Sequence, residues 1–314
     1  MRRRPLGDTG LEVSELGLGT WGLSGDGYSA VSEAEQDRVI DRARALGITL
    51  FDTSASYAHG AMETRLGARL PDDGRVRIAT RVGTDRDSLP PRKRFDVPFL
   101  REQLERSRDR LKRSVLDIVL LHNPSLSALE RGDATSLLAE EQSQKRVLAW
   151  GASISSAELG RAAINRGARV LALPHNCFHS AELNLLEGEA RSAGVGILAH
   201  SVLSYGLLCG HWSSDKDFPE GDHRAERWTR DELRRRIRQL DALRPLLGGN
   251  VLTLRSSALR FVLSNTLVAS ALIGPRSTLQ LDQLVREAGK GPPYLTEDAL
   301  RALSARLLQV GVEL

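Results

Sequence analysis

The chain predicts a closed (β/α)8 barrel, a TIM barrel in the α/β class, with an N-terminal β-hairpin and extra C-terminal helices. Three observations predict it. Short β-rich runs alternate with amphipathic helical stretches along almost all of the 314 residues, which implies a parallel sheet. Eight such units fit within about 290 residues, the usual content of a closed barrel. No Pro/Gly/Ser-rich linker divides the chain, which weighs against the rival, a two-domain doubly wound fold. Residues 1–314 are therefore expected to form a single domain.

Residues 3–14 hold two short extended pieces around Gly7-Asp-Thr-Gly10, a turn signal that predicts the hairpin. The first barrel strand is expected over 15–20. Ser32, with Glu35 three residues on, is a capping box that starts a helix over 33–46. The apolar run Ile48-Thr-Leu-Phe51 predicts a buried strand over 48–52, and the spacing of Met62, Leu66 and Leu70 predicts a helix over 62–70. Further strands are expected over 76–81, 117–122, 147–152, 170–175, 196–201 and 270–273. Further helices are expected near 97–112, 135–145, 156–167, 181–193, 251–264 and 277–288. The span 212–246 breaks this rhythm with a charged loop, Ser213 to Arg227, and an extra helix from about Asp231 to Arg244. A last helix over 295–311 is expected to lie over the barrel.

The 44 basic residues exceed the 40 acidic ones by a formal charge of +4. Most arginines sit in mixed-sign stretches such as Arg101-Glu-Gln-Leu-Glu-Arg-Ser-Arg-Asp-Arg110, which read as solvated helix faces. No basic patch is interleaved with aromatics, so no nucleic-acid partner is expected. No run of about 18 apolar residues is present to cross a membrane. Met1-Arg-Arg-Arg-Pro-Leu-Gly has no apolar core behind its arginines, unlike a signal peptide, and the expected compartment is cytoplasmic. Cys177 and Cys209 form no CxxC and read as reduced, buried thiols. His175, Cys177, His179 and His200 have no diagnostic metal spacing, so no metal is expected.

Gly17-Leu-Gly-Thr-Trp-Gly22 matches G-x-G-x-x-G after a strand, yet Leu23-Ser-Gly-Asp-Gly-Tyr-Ser reads as loop. A dinucleotide-binding crossover needs a helix at once, so its N-terminus meets the pyrophosphate. These glycines instead predict a tight strand end where a ligand approaches the backbone, with Trp21 as a pocket wall. Asp52 ends the second strand and Tyr57 follows in a Ser/Ala/Gly-rich loop. The two are a proton-handling pair, or a turn cap with a ring packed on it. The barrel rule discriminates between these readings, because functional side chains gather at the C-terminal ends of strands. Arg81 ends the third strand and His122 the fourth, with Asn123 directly after it. An acid, a phenol, a guanidinium and an imidazole thus fall on three adjacent strand tips.

Phe51-Asp-Thr with Tyr57, Gly60, Glu63 and Leu66-Gly67 resembles the F-D-T-A-x-x-Y-G-x-G-x-S-E-x-x-L-G signature of the aldo-keto reductases. Leu116-Asp-Ile-Val-Leu-Leu-His122, Ser201-Val-Leu-Ser-Tyr-Gly206-Leu-Leu and Gly274-Pro-Arg276-Ser-Thr-Leu-Gln280-Leu resemble three further motifs of that family, in order and nearly end to end. The resemblance implies that NADPH delivers a hydride to a carbonyl carbon while Tyr57 gives a proton to its oxygen. Asp52 would orient the cation beside the phenol, and His122 would meet the carbonyl. It further implies a cofactor cradle of Gly19, Thr20, Ser153, His200, Ser201, Leu203, Gly206, Gly274, Arg276 and Gln280, with Arg276 suited to a 2′-phosphate, and a substrate pocket bearing Trp21, Asn123 and the 212–230 loop.

The departures are informative. Where the family has Thr-Lys-Val, this chain has Thr80-Arg81-Val82. Arginine keeps the charge that lowers a phenol's pKa from its free value near ~10, but it is longer, planar and essentially never deprotonated. The family's amide-recognising asparagine and glutamine fall at Ile154 and Ala172, its nicotinamide-stacking tyrosine at His200, and its final asparagine at Leu284. The expected function is an NADP-preferring oxidoreductase acting on an aldehyde, ketone or sugar-like alcohol. Two alternatives stay open because of Arg81: a lyase, dehydratase or isomerase using Tyr57 and His122 for proton transfer, and a cofactor-binding protein of low turnover. The oligomeric state is not legible.

Overall fold

A computed structural model describes every residue except 245, 246 and 250. The hairpin pairs β1 (Arg3–Pro5) antiparallel with β2 (Glu12–Ser14). Then come β3 (Leu16–Gly19), β4 (Leu50–Asp52) and β5 (Arg77–Val82), followed by a second hairpin of β6 (Thr84–Asp85) and β7 (Arg92–Lys93). β8 (Leu116–His122), β9 (Val147–Ser153), β10 (Val170–Pro174), β11 (Gly196–His200) and β12 (Val268–Ile273) complete the set. Eight parallel strands close in the order β3-β4-β5-β8-β9-β10-β11-β12, and β12 returns to β3 with Ala271 opposite Leu16 and Ile273 opposite Leu18.

The helices are α1 (Trp21–Ser24), α2 (Glu33–Ala45), α3 (Ala61–Arg69), α4 (Val97–Leu111), α5 (Leu126–Arg131), α6 (Asp133–Ser143), α7 (Ala157–Asn165), α8 (Ala181–Ser192), α9 (Arg230–Asp241), α10 (Leu254–Ser264), α11 (Thr278–Ala288) and α12 (Glu297–Gln309). Their starts follow local chemistry. Ser32, Asp96, Ser156, Thr253, Ser277 and Thr296 each accept a backbone N–H of the first turn. Thr229 and Glu232 form a reciprocal capping box at α9.

Alternation along the strands builds two core layers. On β8, Ile118 and Leu120 face the barrel interior, while Val119 and Leu121 face the helices. The interior layer also takes Leu50, Ala79, Ala149, Val170, Ala172 and Leu198. Leu6, Leu11 and Val13 of the first hairpin join it and plug the N-terminal end of the barrel. The Asp8 backbone N–H donates to the Gly194 carbonyl (2.8 Å), and the Arg4 guanidinium donates to the carbonyls of Leu263 (2.7 Å) and Val268 (2.8 Å). Tyr294 donates to Glu15 from the far end of the chain. A satellite core joins Leu207 and Leu208 to Leu233 and Leu240 of α9, Leu254 of α10, and Leu303 and Leu307 of α12.

Three elements differ from the expectation. A one-turn helix, α1, does follow Gly19-Thr-Trp-Gly22, but it ends at Gly25 in the left-handed region (φ 83°), far short of a crossover helix. The loop after the third barrel strand contains the β6–β7 hairpin, and the segment after β8 contains α5 ahead of α6. Cys177 is buried as expected, whereas Cys209 is only half-buried, at the edge of a cleft. No helix among the described residues is long and apolar enough to cross a membrane.

Candidate active site

The alternation that fills the barrel also aims the site. Leu50, Ala79, Leu120 and Leu198 face the axis. One pleat further along their strands stand Asp52, Arg81, His122 and His200, on the same face at the C-terminal rim. They line one cleft of ≈ 770 Å³ together with Tyr57, Ser153, Asn123 and Trp21. That volume is within the usual range for a small-molecule site. A larger hollow of ≈ 970 Å³ opens at the opposite end, around Ile48, Thr49 and Val76. It holds none of the strand-tip residues and opens more widely to solvent.

At the floor of the cleft, Arg81 Nη1 donates to Asp52 Oδ2 at 2.6 Å, with both side chains buried. Burial raises the Asp52 carboxyl above its ordinary range and Arg81 opposes that rise. Burial works against the Arg81 charge, but Asp52 and Tyr57 hold the guanidinium ionised. Asp52 Oδ1 has no hydrogen-bond partner among the described residues. Tyr57 lies beside this pair. Burial pushes its phenol up to about 12, and Arg81 pulls against that shift. The group is therefore a neutral phenol at ordinary pH, with a cation next to the oxygen.

Tyr57 meets His122 edge to face, with ring centroids 6.3 Å apart. His122 Nδ1 stands 3.3 Å from Ser54 Oγ and 3.2 Å from Thr84 Oγ1, which leaves Nε2 as the nitrogen to meet a ligand. Burial, then the charges of Lys93 and Arg81 and the nearby His200, keep this imidazole neutral, well below its usual pKa. His200, lowered to about 3 by burial and by Arg81, is neutral too, and its Nδ1 lies 3.0 Å from Ser201 Oγ.

The cleft extends from the rim into a groove between β11 and α11. Gly19, Gly22, His200, Ser201, Leu203, Gly206, Gly274, Arg276 and Gln280 line it. Thr20 does not, because it is fully buried and its hydroxyl donates to the Asp52 carbonyl at 2.9 Å. Ser201, Ser204, Tyr205 and Gly206 all have positive φ, which coils the backbone after β11 into a tight cradle. Across the groove, Arg276 donates to Gly22 O (3.1 Å) and to Ser29, and its backbone N–H donates to Gln280 Oε1 (2.8 Å). A coiled backbone facing a guanidinium at the start of α11 fits the phosphates of a dinucleotide. At the other end, Ser153 and Ser201 line the cleft where the sequence has Ile154 and Ala172 in place of larger amide side chains.

The 212–228 segment covers the groove. His223 lies 4.6 Å from the Trp21 ring and 4.7 Å from Tyr28, and its backbone donates to Gly27 O at 3.0 Å. Arg224 sits over Tyr28 and Phe218, and Arg227 is 3.6 Å above the Tyr205 ring. Of the tryptophans, Trp21 walls the cleft and Trp228 packs in this lid, while Trp150 lies in the outer core. Sequence reasoning missed Thr84, Lys93, Tyr28 and His223. The available signal was Lys93 itself, one of only five lysines among 44 basic residues. Among the described residues, no three His, Cys, Asp or Glu side chains group as metal ligands.

Comparison with known proteins agrees with the barrel fold. The chain is 26% identical over 305 residues to an NADH-specific methylglyoxal reductase of Escherichia coli, covering 91% of this chain and 93% of that one. It is 25% identical over 323 residues to pyridoxal 4-dehydrogenase of Microbacterium luteolum, covering 90% and 92%. The solved glycerol dehydrogenase of Gluconobacter oxydans shares the fold, with a TM-score of 0.85 at 22% identity over 99% of this chain and 97% of that one. A model of the "Aldo/keto reductase family" matches residues 15–291, from the first barrel strand to beyond α11. Barrel, strand-tip residues and family model span the same stretch, and the chain belongs to the aldo/keto reductase family.

Proposed function

We propose that this protein interconverts a small carbonyl compound and its alcohol, using a nicotinamide dinucleotide, with Tyr57 as the general acid. The observation that carries the reading is the neutral Tyr57 phenol held beside the buried Asp52–Arg81 pair, across from a neutral His122, at an open barrel mouth. When bound, the cofactor supplies or accepts the hydride. Every other task falls to the chain. His122 Nε2 and the Tyr57 hydroxyl converge on the position of the carbonyl oxygen, where negative charge grows during reduction. Tyr57 hands over its proton, and the adjacent guanidinium stabilises the phenolate left behind. Trp21 and Asn123 bound the substrate. Relatives named as a methylglyoxal reductase and a pyridoxal dehydrogenase support a small carbonyl substrate.

NADPH is the proposed cofactor, because Arg276 offers a planar guanidinium at the end of the groove. One relative is named as NADH-specific, so the preference belongs to the test. Titration with NADPH and with NADH should quench tryptophan emission, since Trp21 lines the groove, and NADPH should bind more tightly. Tyr57→Phe should retain binding and lose about 10²- to 10⁴-fold in reduction of small aldehydes and ketones. Failure of both cofactors to bind would sink the reading. Binding without reduction across a broad carbonyl panel would favour a non-redox proton-transfer enzyme or a cofactor-binding protein.

A further inference from the structure

The β6–β7 hairpin folds over the rim beside His122 and brings Lys93 with it. Lys93 Nζ donates to Thr84 Oγ1 at 2.7 Å, and Thr84 Oγ1 stands 3.2 Å from His122 Nδ1. An ammonium has no lone pair, so the threonine oxygen accepts in the first contact and retains its own hydrogen for another. The second hydroxyl near Nδ1, that of Ser54, donates to the Arg81 carbonyl at 3.0 Å. Thr84 is thus the hydroxyl placed to donate to Nδ1. We propose that Lys93 and Thr84 are a positioning pair that holds His122 as its Nε2–H tautomer, so that the imidazole presents a donor to the substrate's carbonyl oxygen. The opposite tautomer would leave the Thr84 hydrogen, turned away from the ammonium, without Nδ1 to accept it, and would turn an Nε2 lone pair toward the carbonyl. The role as donor rests on the carbonyl reading above.

The choice of lysine has a consequence. Arg81 stays charged at any accessible pH, but a lysine can lose its proton. Partial desolvation at the rim, and then the Arg81 charge, bring Lys93 down to about 8, although its side chain still reaches solvent. Once neutral, its amine has a lone pair that takes the Thr84 hydrogen, and the hold on His122 is released. The other groups facing His122 do not titrate in this range. Arg81 on β5 is held ionised, His200 on β11 is neutral, and Tyr57 after β4 keeps its proton. Around the hairpin, Asp85 is engaged by Arg92 and Arg94, and Arg86 in its turn pairs with Asp26. Carbonyl reduction should therefore decline above pH about 8 as Lys93 deprotonates.

The test reads the ring nitrogens of His122 by NMR in ¹⁵N-labelled protein, with signals assigned by their loss in His122→Asn. The wild type should show Nε2–H at neutral pH. Thr84→Val and Lys93→Met should move it to a mixture with Nδ1–H, as should raising the pH of the wild type, whereas Lys93→Arg should keep Nε2–H at the higher pH. Kinetically, Lys93→Met should lower kcat by about tenfold, the weight of one charge-assisted hydrogen bond. It should also remove the alkaline limb, which Lys93→Arg should shift upward. An Nδ1–H tautomer in the wild type would overturn the proposal. So would a pattern unmoved by both Thr84→Val and Lys93→Met. The spectra need no turnover, so they report on the tautomer even if the protein reduces no carbonyl.

Discussion

Arg81 is the residue on which the chemistry turns. It is buried, ionised and bound through one nitrogen to Asp52, and it is the cation nearest the floor of the site. Replacing Arg81 by Met leaves the Asp52 carboxyl buried without its partner, which should lower stability by about 3–5 kcal/mol in denaturant unfolding. The loss should depend on pH. Without the guanidinium, Asp52 is raised still further above its unfolded value, so the folded state binds the extra proton. The deficit should be smallest below the ordinary carboxylate range and grow as pH rises through the raised pKa. Arg81→Lys should restore most of the stability, because the charge returns. Carbonyl reduction should follow the same order of variants. The placement of Asp52, Arg81 and His122 was legible in the sequence because each ends a recognisable apolar run, and the pleat does the rest. Thr20 was misplaced for a related reason: it follows a strand tip, but its hydroxyl serves the neighbouring strand.

Elements carrying a continuous apolar run or a cap with helical spacing were legible, while α1, α5 and the β6–β7 hairpin were not. β8 shows itself through the continuous apolar run Leu116 to Leu121, interrupted only by Asp117, and α2 through its cap and spacing. The β6–β7 hairpin has two residues on each side, Thr84-Asp85 and Arg92-Lys93, with no apolar pattern. Its pairing depends on Gly83, Phe95 and Gln103 around it, as in the 2.7 Å bond from the Gly83 N–H to Gln103 Oε1, and no local signal encodes that. The segment over the groove was visible only as a charged interruption. Its order comes from rings distant in sequence. Gly27 marks their packing, since a Cβ there would stand 2.3 Å from the Trp21 ring. Gly27→Ala should displace Trp21 and loosen the seat of His223. Each aromatic contact carries about 0.5–1.5 kcal/mol, so dinucleotide affinity should fall up to about tenfold, measured by fluorescence titration, with the unfolding midpoint little changed.

On the scale of the whole molecule, the groove between β11 and α11 leans on α12. Leu207 and Leu208, directly after the coiled 201–206 backbone, share the satellite core with Leu303 and Leu307 of α12. Gln239 of α9 donates to the Val310 carbonyl at 2.8 Å, and Arg306 of α12 donates to the Ala242 carbonyl at 3.0 Å. Leu307 is fully buried. Leu307→Ala should cost about 2–5 kcal/mol in unfolding and should also weaken dinucleotide binding, although the residue is remote from the cleft. Equal dinucleotide affinity in variant and wild type would show that the groove stands without α12.

The hairpin that plugs the opposite end has a consequence for the order in which the molecule can be completed. Its anchors lie at Gly194, Leu263 and Val268, and Glu15 waits for Tyr294. Residues of this early hairpin are therefore among the last to find their places. Until β11, β12 and the segment beyond α11 have been synthesised, the apolar side chains of Leu6, Leu11 and Val13 have no finished barrel floor to enter. The hairpin therefore settles only once the segments around residues 194, 263–268 and 294 are in place.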